Sequence, residues 1–168
     1  MSQRLKIQNQ WNDLGLVDLR SLEPEHRLDC PGEIIAAEDA DSAYNIILEA
    51  FNLSHENDTS QALTPIGLID IHGNNLKHIV EKRNDARERF VKYAIETIYN
   101  PFEIWSSEYK DGTKRFQFIG SFKSRNQMLV VVAQYETHTL WNFMHTEAKK
   151  LNKHRCGEII YQRKKAIP

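Results

Sequence analysis

The chain has 168 residues, 40% of them apolar and 27% charged, which suits one folded domain with or without an extension and argues against a disordered or membrane-embedded chain. The net charge of −1 hides a division: residues 1–70 hold 4 Lys/Arg and 13 Asp/Glu (−9), whereas residues 71–168 hold 18 and 10 (+8). The second part carries the electrostatic footprint of a polyanion binder, which the first part is placed to screen.

The opening MSQRLKIQNQW has no apolar stretch of signal-peptide length, and no later run approaches the roughly 18 apolar residues of a membrane span, so no export signal or membrane anchor is expected. Residues 1–30 mix Leu, Val and Trp with Asp, Glu and Pro in no sustained period and read as short helices and loops. From Ala37 to Leu53, Ala43, Ile46, Ile47, Ala50 and Phe51 recur at helical spacing behind acidic first turns, which predicts a helix. The stretch SHENDTSQ (54–61) is polar throughout and reads as a linker or surface loop. The expected division is therefore an acidic helical extension, 1–61, and a basic domain, 62–168.

TPIGLIDIHG (64–73) reads as a short strand, and Asn74 and Asn75 are potential caps for a brief helix through His78 and Lys82. Residues 84–99 read as one helix, with Phe90, Val91, Ala94, Ile95 and Ile98 on one face and Asn100-Pro101 as its stop. Beyond Pro101 the period becomes two, in FEIWSSEY, RFQFIGSFK, MLVVVAQY, TLWNFMHT and EIIYQR. Asp111-Gly112 is a strong hairpin signal, Arg125-Asn126 a weaker one, and Gly157 precedes the last strand. MLVVVA, apolar on both alternating sets, predicts the central strand; EAKKLNKHR (147–155) predicts a short basic helix or loop. The expected fold class is α+β, with N-terminal helices packed on a twisted antiparallel sheet of four to five strands.

Cys30 and Cys156 belong to no CxxC or Cys/His group, so a structural zinc site has no basis; two reduced thiols are the first reading, and a bridge between them is the alternative. The sequence has no HExxH, EF-hand loop, P-loop, dinucleotide glycine motif or GxSxG, and no close carboxylate cluster in its basic half, so no metal and no cofactor is expected. The remaining inventory of His, Arg, Lys, Thr and Tyr suits one reaction, cleavage of RNA by its own 2′-hydroxyl. There the protein needs only to move protons and stabilise a phosphorane.

His78 is the leading acid or base: on a helix with Leu76, Ile79 and Val80 buried it points away from them, toward a cleft or simply toward water. Arg83 and Arg87, four apart, either reach a phosphate on the sheet or decorate a solvated helix face with Asp85–Arg89 and Glu88–Lys92 pairs. Ser121 and Lys123 share the strand face opposite Phe116, Phe118 and Phe122. In TLWNFMHT, Thr139, Trp141, Phe143 and His145 alternate with Leu140, Asn142 and Met144; Trp141 and Phe143 read first as core. Tyr161 either bonds a phosphate or fills the core. Aromatic residues interleaved with cations also suit single-stranded nucleic acid.

The runs LKHIVEKRNDARERFVKYAIETIYNPFEIW, KRFQFIGSFKSRNQMLVVVAQYE, TLWNFMHT and GEIIYQR together resemble the phage and polymorphic-toxin nucleases of the barnase–EndoU–colicin–RelE superfamily, over roughly residues 66–163. The resemblance implies a metal-independent ribonuclease, with tRNA one candidate target. Such domains are often the toxic part of a larger secreted protein, acting in the target-cell cytoplasm and neutralised by an immunity protein or antitoxin. Carried over, the catalytic set is His78, Arg87, Lys123, His145, Thr146 and Tyr161, with Arg83 sharing the role of Arg87. Both Thr139 and Thr146 fit the fourth-strand threonine, and Thr146 with His145 is preferred at the strand's end. Arg83, Ser121, Thr139 and Asn142 complete the set as substrate contacts. The alternative from another class is a non-catalytic RNA-binding or interaction module of the same fold.

Overall fold

In the computed structural model, which describes residues 3–5 and 8–163, the chain forms α1 (Ala40–Ala50), β1 (Thr59–Thr64), β2 (Gly67–His72), α2 (Gly73–Glu81), α3 (Val91–Tyr99), β3 (Glu103–Glu108), β4 (Lys114–Gly120), β5 (Asn126–Gln134), β6 (His138–Glu147), the one-turn α4 (Ala148–Leu151) and β7 (Glu158–Gln162). The loops and short helices expected over residues 1–30 include Met1, Ser2, Lys6 and Ile7, which lie outside the described residues; within the rest, Leu19–Ser21 and Pro24–His26 form single 3-10 turns.

The strands make one sheet in the order β1-β2-β6-β5-β4-β3-β7. β5, the MLVVVA strand, is its middle member, with Met128, Leu129, Val130, Val132 and Ala133 buried. The sheet is mixed and seven-stranded rather than antiparallel with four to five strands, because the β1–β2 hairpin joins it through one parallel bridge, Asp70 opposite Thr139. β1 escapes a hydropathy reading because it buries only Ala62 and Thr64; backbone pairing with β2 across the Thr64–Gly67 turn defines it. Gly67, at φ +101°, supplies the left-handed corner of that turn. The boundary drawn between residues 61 and 62 falls inside β1.

Two cores lie on opposite faces of the sheet. On one, α1, α2 and α3 bury Ile47, Leu76, Val80, Ala94 and Ile98 against Ile69, Phe118, Val130, Leu140 and Phe143. On the other, Trp11, Leu16, Leu19 and Leu22 join Leu151 in covering Trp105, Ile119 and Leu129. Asp39 starts α1 by accepting the Ser42 N–H at 2.7 Å, a cap worth about 1 kcal/mol.

The single helix expected over 84–99 is divided. Ala86 adopts left-handed dihedrals (φ 44°, ψ 61°), Arg87–Phe90 form a 3-10 turn, and α3 begins only at Val91. The kink lets Glu88 turn inward. It is fully buried, receives both terminal nitrogens of Arg83 at 2.8 and 2.7 Å, and accepts the Ala37 N–H at 2.9 Å. Acidic residues of the N-terminal segment pair with basic ones nearby: Asp29 with Lys123 at 3.0 Å, and Glu33 with Arg89 at 3.4 Å. Cys30 and Cys156 are both free thiols.

The N-terminal segment is tied to the last strands through a buried ion pair. Arg155 gives its Nε to Glu103 Oε1 at 2.7 Å and its second terminal nitrogen to Oε2 at 2.9 Å, and also donates to the Val17 carbonyl at 2.8 Å. Trp105 Nε1 donates to the same carboxylate at 3.0 Å. Beside this cluster, burial and then the charges of Arg4 and Lys153 push His154 down to about 4. The unfolded chain takes up that proton near 6.5, so the stabilising effect of a neutral His154 is complete above 6.5 and is lost as pH falls toward 4. Urea midpoints measured from pH 7 to 4 are expected to drop by an amount worth up to about 3 kcal/mol, and His154→Gln removes that part of the drop.

Candidate active site

β2 runs beside β6 only at Asp70 and Thr139, and at Gly73 the chain turns into α2. A Cβ on Gly73 would come within 2.6 Å of the His55 carbonyl, so this close turn requires glycine. The second half of β6 is thereby left with β5 on one side and with α2 and the 82–90 segment on the other. A strand edge covered by side chains rather than by another strand is where polar groups gather.

α2 buries Leu76, Ile79 and Val80 and presents His78 to solvent, as the helical pattern predicts. One side of the imidazole lies against Trp141, with ring centroids 5.3 Å apart and planes tilted by 42°. That contact desolvates the ring and holds its pKa below 6.5, with the Arg87 charge acting in the same direction; the Trp141 backbone and Glu81 oppose it.

Arg87 Nε donates to Asp85 Oδ2 at 2.8 Å, and one terminal nitrogen donates to Asn142 Oδ1 at 2.9 Å. Two of the five guanidinium donors are thus used to orient the fork. His145, on β6, stacks on Phe90 with centroids 3.9 Å apart and an interplanar angle of 23°. Burial holds its pKa below 6.5 too; the Asp85 carboxylate opposes this, while Arg89 and Arg87 reinforce it. Arg87 therefore acts electrostatically on both imidazoles. His145 Nδ1 and Asp85 Oδ1 are buried with no hydrogen-bond partner. Buried polar atoms without partners are uncommon, and these two lie in the one cluster around Arg87.

Of the residues expected at the site, His78, Arg87, Asn142 and His145 gather here. The others do not. Arg83 is committed to buried Glu88 and to the Ala37 carbonyl, so its place is structural. Ser121 and Thr139 are buried at 2% and 5% exposure, out of reach of a substrate. Lys123 is exposed but ion-paired with Asp29. Thr146 sits opposite Gln127 in the ladder, and strand alternation turns it to the face away from its neighbour His145. Tyr161 lies on β7, four strands from β6, packed at the margin of the helix-side core.

Asp85 and Trp141 were not legible as site residues. Asp85 reads as the helical partner of Arg89, and only the left-handed Ala86 swings it toward Arg87. Trp141 reads as core, but a β-bulge intervenes: Val132 opposes Leu140 while Val131 opposes Asn142, so Trp141 is the extra residue. Leu140 and Phe143 consequently enter the same core, contrary to strict alternation, and Trp141 enters neither.

Residues 46–162 match the family model described as phage-Barnase-EndoU-ColicinE5/D-RelE like nuclease2. No curated protein and no solved structure matches the chain significantly.

Proposed function

The chain belongs to the phage-Barnase-EndoU-ColicinE5/D-RelE like nuclease 2 family, a nuclease family that implies a nucleic-acid substrate, and from that premise we propose that it is a metal-independent endoribonuclease. The observation that carries the reading is Arg87, oriented by Asp85 and Asn142 and acting on two desolvated histidines. Such a group suits a reaction whose nucleophile belongs to the substrate. His78, neutral near pH 7, takes the proton of the 2′-hydroxyl as its oxygen attacks phosphorus. Arg87 meets the charge that builds on the phosphorane oxygens. The bond from phosphorus to the 5′-oxygen breaks, and His145, whose protonated form the Asp85 carboxylate favours, gives the leaving oxygen its proton. Among the described residues no group of three or more His, Cys, Asp or Glu is placed to hold a metal ion.

Incubation of RNA with the protein in EDTA is expected to yield fragments ending in 2′,3′-cyclic phosphate. Activity that disappears on chelation and returns with magnesium, or equal cleavage of a fully 2′-deoxy strand, would overturn the reading.

On the same reading the protein is a toxin delivered within a larger secreted protein to act on RNA in the target-cell cytoplasm, tRNA being one candidate. A cognate immunity protein covers the β6 edge and its histidines. Induced expression in bacteria should arrest growth, and His78→Ala should relieve the arrest.

A further inference from the structure

The bulge that expels Trp141 from the core starts a line of rings and cations. Trp141 touches His78 on one side and Tyr135 on the other, with centroids 5.3 and 6.1 Å apart. The Arg115 guanidinium carbon lies 5.7 Å from the Trp141 ring and 4.6 Å from the Tyr109 ring. Arg4, tied to Cys156 Sγ at 3.0 Å, stands behind Tyr109 at 6.0 Å. Trp141, Tyr135 and Tyr109 are absent from both cores, and Tyr135 is 54% exposed.

The backbone explains how these residues align. Arg115 on β4 is in register with Ala133 on β5, and Ala133 with Thr139 on β6, just before the bulge. A small residue on the intervening strand lets the Arg115 side chain cross it to Trp141. Tyr109 follows the end of β3, where Glu108 pairs with Lys114. The line thus runs across the strands from His78 toward the β3–β4 turn.

Rings that stabilise no core, with a guanidinium between them, offer π-faces to bases and a charge to the linking phosphates. Only unpaired nucleotides can use such faces, because the bases of a duplex are already stacked and turned inward. We propose that Trp141, Tyr135, Arg115 and Tyr109 form a track for the unpaired nucleotides next to the cleaved bond, so that the protein selects single-stranded RNA over duplex. This deepens the ribonuclease reading and rests on it for the position of the cleaved bond, but the track itself is tested without cleavage.

The probe is a single-stranded oligonucleotide of eight 2′-O-methyl uridines, which lacks the nucleophile, set against a 2′-O-methyl duplex of the same length. Affinity is read by fluorescence anisotropy. The parent protein should bind the single strand more tightly. Tyr109→Ala and Tyr135→Ala, neither of which contacts His78, should each weaken that binding about tenfold while leaving duplex binding unchanged. Arg115→Gln should weaken it too and flatten its salt dependence. Equal affinity for the two probes, or parent-like affinity in both tyrosine variants, overturns the track. If the parent cleaves no RNA but the tyrosine variants still lose single-strand affinity, the ribonuclease reading fails and the track stands.

Discussion

His78→Ala is expected to slow RNA cleavage about 10²–10⁴-fold while leaving affinity for uncleavable RNA nearly unchanged, because the imidazole moves a proton and does not hold the phosphate. His145→Ala should behave the same way. Arg87→Ala should lower both rate and affinity, since its fork is the phosphate contact. Asp85→Asn and Asn142→Ala loosen that fork and should reduce the rate without abolishing it. The pH profile carries a further check. Both imidazoles sit below 6.5, one acting as base and one as acid, so kcat/KM should follow a bell that rises as His78 loses its proton and falls as His145 loses its own, and the rising limb should vanish from the His78 variant. Arg83 provides the internal contrast: Arg83→Ala strands buried Glu88 and should lower Tm, with little change in kcat at temperatures where the variant stays folded. Parent-like cleavage by both histidine variants would withdraw the catalytic assignment and leave an RNA-binding module.

Arg155→Met is expected to cost about 3–5 kcal/mol in urea unfolding, because Glu103 would be left at 2% exposure without its main partner. The loss reaches beyond the pair. Arg155 also holds the Val17 carbonyl and shares Asn152 Oδ1, which accepts the Leu19 N–H, so the segment covering the second core loses its anchorage. Adding Glu103→Leu to the variant removes the stranded charge and should recover most of the stability, although Trp105 Nε1 then lacks its acceptor. If the double variant is no more stable than Arg155→Met alone, the cost lies in anchoring the N-terminal segment rather than in the uncompensated carboxylate.

Elements that depend on side-chain pattern were legible in the sequence. MLVVVA reads as the central strand because five of its residues need burial, and it lies there. Asp111-Gly112 reads as a hairpin turn because the corner needs a positive φ, and Gly112 has one at +84°. His78 reads as facing away from a buried stripe, and it does. Features that depend on the backbone alone were not. β1 is polar and exists through its pairing with β2. The left-handed Ala86 carries no residue signal, yet it divides a helix, buries Glu88 with Arg83, and brings Asp85 to Arg87. The bulge at Trp141 is equally silent, and it shifts the alternation on which the assignment of faces in β6 rested. Lys123, Thr146 and Tyr161 were placed by motif order and Ser121 by alternation: Tyr161 lies four strands from His145, Thr146 turns to the other face of β6, Lys123 pairs with Asp29 and Ser121 is buried.

The docking of the N-terminal segment bears on how the protein comes into being. Trp11 receives its backbone partner from Arg155, Gln10 bridges Cys156, Val17 waits for the Arg155 side chain, and Leu28 bridges Phe122. Residues 10–17 are synthesised long before their partners at 155 and 156, so on a growing chain they have nothing to dock on until those residues follow, whereas Leu28 needs only Phe122. The contacts with Arg155 and Cys156 form only when synthesis has passed residue 156, and closing such long loops places folding toward the slow, roughly millisecond-to-second, end of the range for single domains. Translation and folding are therefore separated in time: a growing chain stopped short of Arg155 still has Glu103 without its cation and the second core without its cover.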